Sequence, residues 1–63
     1  MTYTNADNTV KATVVAEDNG NFVVILDRQH NIPQHFEKVL SSRAKVDRYV
    51  KTLKALYGVA LVK

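Results

Sequence analysis

The chain has 63 residues, no cysteine and a net charge of +3. That length holds one domain with a thin core, and the missing cysteines exclude disulfides and thiolate metal sites. No apolar run approaches the roughly 20 residues needed to cross a bilayer, so no membrane partner is expected. The opening stretch, MTYTNADNTV, has neither a basic n-region nor an apolar h-region; we expect no signal peptide and a cytoplasmic location. Charge is unevenly placed, with −2 on residues 1–32 and +5 on residues 33–63. Such asymmetry favours an anionic partner.

Residues 1–8 are polar and are expected to fray. TVKATVVAED, residues 9–18, alternates apolar and polar side chains and predicts a strand. Asn19-Gly20 then predicts a two-residue hairpin turn of type I′, with positive φ at both central positions. The return strand contains NFVVILD, residues 21–27, in which Phe22, Val23, Val24, Ile25 and Leu26 are all apolar. Alternate side chains of a strand point to opposite faces, so this strand is apolar on both.

RQHNIPQHFEKVL reads two ways. As a strand it puts Ile32, Gln34, Phe36, Lys38 and Leu40 on one face, with Pro33 near its start. As a helix it could be capped by Asn31, with Ile32, Phe36, Val39 and Leu40 at helical spacing. The strand is favoured, because DRQHN resembles a turn and SSRA a fresh helix start with Ser41 or Ser42 as N-cap. The helix that follows places Val46, Val50, Leu53 and Tyr57 on one stripe and ends at Gly58. VALV, residues 59–62, reads as a short final strand, and the right-handed crossover rule favours a parallel placement for it.

The expected fold class is α+β. It is a small three-stranded antiparallel β-meander with one amphipathic helix on one face and a short C-terminal strand, β-β-β-α-β, forming a single domain over residues 9–63. The alternative is a β-hairpin followed by one long helix, ββα. One helix covers one sheet face. The other face is expected to expose two or three of Val15, Val23, Ile25 and Val39, depending on hairpin register. An apolar patch of that kind seldom stays wet, and a second copy of the chain is its simplest cover. A homodimer is therefore expected, associating through these four residues.

Candidate chemistry is sparse. His30 and His35, with Asp27 nearby, do not converge within a single strand or helix, and are read as surface histidines rather than metal ligands. Ser41 and Ser42 are accounted for by helix capping rather than nucleophilic catalysis. Glu17 and Asp18 sit at a hairpin tip, where carboxylates are solvated. Gly20 and Gly58 are the only glycines, so no phosphate-binding loop is present. No catalytic or metal residue is assigned and no small-molecule cofactor is expected. Of the three tyrosines, Tyr57 belongs to the core stripe, Tyr49 to its shoulder and Tyr3 to the loose tail, so no base-stacking platform is expected.

The outer helix face is the remaining candidate. Arg43, Lys45, Arg48, Lys51 and Lys54 lie on it, and within it Ala44, Arg48, Lys51 and Ala55 form a low cationic strip, which with Arg43 is the candidate partner-binding face. The strip suits an acidic protein surface or a phosphate backbone. The expected function is a non-enzymatic protein–protein interaction module, accessory, regulatory or inhibitory, working as a homodimer. This has the general look of small bacterial or phage proteins. The alternative is a nucleic-acid binder using the basic helix face.

Overall fold

Tyr3 is only 6% exposed, because the segment around it is a strand. The computed structural model describes residues 1–30 and 32–62. Six elements follow one another: β1 (Thr2–Thr4), β2 (Val10–Ala16), β3 (Phe22–Arg28), β4 (His35–Leu40), α1 (Arg43–Tyr57) and β5 (Ala60–Leu61). They form one five-stranded sheet of order β4-β3-β2-β1-β5, in which every bonded pair is antiparallel. The expected α+β class and β-hairpin are present, with one more strand than the meander allowed.

The correction concerns residues 1–8, expected to fray. Their polar residues are turn chemistry instead. Asn5 Oδ1 accepts hydrogen bonds from the Thr9 and Val10 backbone N–H groups, at 2.9 and 3.1 Å, while Asn5 Nδ2 donates to Thr9 Oγ1 at 2.8 Å. Asn8 adopts φ 56°, a left-handed conformation that asparagine tolerates better than most residues. This turn folds β1 back onto β2, with Tyr3 opposite Ala12.

The β2–β3 connection also differs in detail. Gly20 has φ 87°, and Asn19 is not in the positive-φ region. Glu17 N–H donates to Asn21 O at 2.8 Å and Gly20 N–H to Glu17 O at 3.1 Å. The loop is thus three residues with a left-handed glycine at its end, not a type I′ pair. Asn19 Oδ1 accepts from Asn21 N–H at 3.0 Å and fixes the exit.

Residues 35–40 take the strand alternative. Asn31, the cap needed by the helical reading, lies outside the described residues. The helix begins after Ser42, whose Oγ accepts from Lys45 N–H at 3.3 Å. It ends at Gly58, with φ 68° and its N–H bonded to Lys54 O. β5 runs in the same direction as β4, but at the opposite side of the sheet. Its bonded neighbour is antiparallel β1, since β1 fills the place beside β2.

Val46, Val50 and Leu53 of α1 pack on Tyr3, Val10, Ala12, Val14, Val24 and Leu26 of the sheet, and Val59 closes one end. Tyr57, the fourth member of the helix stripe, is half-buried beside them.

Candidate functional site

Register decides what the face away from α1 presents. Val15 lies opposite Val23, and Val23 opposite Val39, giving a row of valines across β2, β3 and β4. One step along β3, Ile25 stands between Thr13 and Glu37. All four residues named from the sequence therefore share one face, rather than two or three of them. Val15 is 44% exposed and Val39 61%, while Val23 and Ile25 are half-buried by their neighbours.

The far end of the same face is polar. Lys11 stands opposite Asp27, and Asp27 opposite His35. His35 Nδ1 is 2.8 Å from Asp27 Oδ1, and its Nε2 is 2.9 Å from Glu37 Oε2. These hydrogen bonds, that to Glu37 first and that to Asp27 second, hold the imidazole above its ordinary value. His30 is exposed in the β3–β4 connection. Among the described residues, no three His, Cys, Asp or Glu side chains are grouped so that they could hold a metal ion.

Glu17 and Asp18 are exposed at the hairpin tip. Ser42 caps the helix, and Ser41 Oγ accepts from Lys45 Nζ at 3.0 Å. Arg43 and the cationic strip residues Ala44, Arg48, Lys51 and Ala55 are all exposed. They do not act alike, however: Arg43 Nε pairs with Asp47 Oδ1 at 3.2 Å, and its Nη2 contacts Met1 Sδ at 3.3 Å. Three other helix cations are placed on its two flanks. Lys54 leans toward Tyr3 on the β1 side, 5.9 Å from its ring centroid, whereas Lys45 and Arg48 face β4.

Where α1 crosses β4 a groove runs along the sheet edge. Its cationic half, about 270 Å³, is lined by Lys38, Leu40, Lys45, Arg48, Tyr49 and Thr52. Its apolar half, about 290 Å³, includes Phe36, Leu56 and Tyr57 and shares Tyr49 and Thr52 with the first. Lys38 Nζ sits 4.9 Å from the Tyr49 ring centroid, a cation–π distance. Burial pushes the Tyr49 phenol up, helped by neighbouring Tyr57 and opposed by Arg28. Arg28 anchors the apolar end: Nη1 donates to Tyr57 Oη at 3.1 Å and Nη2 to Pro33 O at 2.8 Å. A larger, open hollow of about 360 Å³ lies around Asn8, Lys11, Asp27 and Gln34.

Sequence reasoning missed this groove and the Asp27–His35–Glu37 cluster. His35 and Glu37 are two apart on a strand, so their shared face was legible; Asp27 joins them only through the β3–β4 register. Lys38 and Phe36 carried no signal beyond alternation. Tyr3, read as part of a loose tail, is a core residue, and no exposed aromatic platform includes it.

Searches with protein-family models, among curated proteins and among solved structures return no match. No helix among the described residues is long and apolar enough to cross a membrane.

Proposed function

We propose that this protein is a non-enzymatic protein-binding module that pairs with a second copy of itself through the sheet face opposite α1. The observation that carries the reading is the valine row Val15, Val23 and Val39, bordered by Ile25. Fully burying such a side chain contributes about 1.5–3 kcal/mol, a large share of the stability open to a chain this short. A second copy suits the face because its polar end carries both signs. Lys11 stands with Asp27 and Glu37 around His35, so twofold stacking can set opposite charges against each other.

Sedimentation at micromolar concentration tests the reading. A dimer that the Val39→Lys substitution converts to a folded monomer is the expected result. A wild-type monomer with fully cooperative unfolding would overturn it. Binding of nucleic acid by the exposed Arg48 and Lys51 is the competing reading, and it requires affinity for DNA or RNA that falls steeply with salt.

A further inference from the structure

β4 is an edge strand whose outward backbone groups can be named. Arg28 N–H donates to Gln34 O at 2.6 Å, which makes Arg28 and Gln34 a hydrogen-bonded pair of the antiparallel ladder. Bonded and non-bonded pairs alternate along such a ladder. Phe36, Lys38 and Leu40, opposite Leu26, Val24 and Phe22, therefore turn their backbone groups toward β3. His35, Glu37 and Val39 turn theirs to the open edge. On the helix side of that edge stand Phe36, Lys38 and Leu40, backed by the groove of Lys45, Arg48, Tyr49 and Leu56. The ion pairs among the described residues leave Lys38, Lys45 and Arg48 without a carboxylate partner.

We propose that the β4 edge and the groove beside it bind an extended acidic–apolar peptide segment of a partner protein, which adds as a sixth strand. This deepens the protein-binding reading above and rests on it, but it uses a different surface from the self-association face. Backbone bonding to His35, Glu37 and Val39 supplies the pairing, as in strand addition generally. Alternate side chains of the added strand then fall on the helix side, where an acidic residue meets Lys38, Lys45 and Arg48. Its apolar neighbours two positions away reach Leu40 at one end, and Phe36 with Leu56 at the other. A second copy of β4 is a poorer occupant. The two twofold registers that pair the whole strand set Glu37 opposite Glu37, or Lys38 opposite Lys38, and directly opposed like charges destabilise a ladder. Phosphate backbones satisfy the cations but supply neither strand pairing nor apolar side chains.

The test uses a fluorescent, end-blocked heptapeptide, Thr-Leu-Thr-Glu-Thr-Phe-Thr, with fluorescence polarisation and amide chemical-shift mapping. Binding is expected, with shifts confined to β4 and to the α1 residues facing it. Arg48→Glu, on the exposed helix surface, should weaken it about tenfold, as should Lys38→Glu in a variant whose circular dichroism is unchanged. N-methylation of the peptide at its threonines, which stand opposite His35, Glu37 and Val39, should abolish binding if the backbone pairs. Equal binding of the N-methylated peptide, of a peptide with lysine in place of glutamate, or no binding at all would overturn the proposal. So would displacement of the peptide from the same residues by a short DNA duplex of higher affinity. Sedimentation separates the two readings: a monomer that still binds the peptide removes the self-association face alone, and a dimer that ignores the peptide removes the groove alone.

Discussion

His35 stands directly opposite Asp27 across the β3–β4 ladder, Nδ1 to Oδ1 at 2.8 Å, with its other ring nitrogen 2.9 Å from Glu37. Both bonds favour the imidazolium, so the folded state raises the histidine's proton affinity. Stability gained this way is complete below the unfolded value of about 6.5 and fades as pH rises through the higher folded one. In urea titrations, wild type should exceed His35→Gln by more at about pH 5.5 than at about pH 8.5. An equal gap at both would remove the cluster as a pH-dependent contributor. Because the ring is exposed, added salt should shrink the effect.

Tyr3→Ala should cost about 3 kcal/mol, the scale of removing a buried aromatic ring. The ring is 6% exposed, and β1 both pairs with β2 and carries β5. Tyr3→Phe should stay close to wild type. Chemical denaturation followed by far-ultraviolet dichroism reads both, and an unaltered Tyr3→Ala midpoint would return residues 1–8 to a loose tail.

The two ends of α1 should respond differently to substitution. Ser42→Ala removes the bond to Lys45 N–H and should cost about 1 kcal/mol, while Ser42→Asp should restore it. Gly58→Ala should cost about 1–2 kcal/mol through its left-handed backbone alone, since nothing lies within 4 Å of the added Cβ. Gly58→Asn should fall between. Midpoints of thermal or urea unfolding measure all four.

Val24 and Val39 make a pair of contrasting tests. Val24 is fully buried and Val39 61% exposed. Val24→Ala should therefore destabilise at every protein concentration. Val39→Thr in an isolated chain should change stability by no more than about 0.5 kcal/mol. If the valine row is covered by a second copy, Val39→Thr instead lowers the melting temperature in a concentration-dependent way. Its effect at high dilution should vanish.

Local signals read directly from the chain were those that one short segment can satisfy alone. Ser42 and Gly58 bound the helix where the capping pattern put them, because a cap is a bond within one turn. Val46, Val50 and Leu53 face inward because their spacing fixes a common side. The alternation of β2, and the choice of strand over helix for residues 35–40, were legible for the same reason. The Asn5–Thr9 turn was not. Asparagines and threonines in a polar run look alike whether they are solvated or satisfy backbone groups, and the difference lies in which partner comes within reach.

What the sequence determined by itself was the order and kind of its main elements and an excess of apolar residues on β3. Tertiary structure alone decided that Val15, Val23, Ile25 and Val39 lie together on one face, that Asp27 and Glu37 hold His35 between them, and that β4 forms an open edge beside a cationic groove. The reason is that strand register and strand order depend on pairing between distant segments. A shift of one residue sends every side chain of a strand to the opposite face, and no pattern within a single strand records its partner.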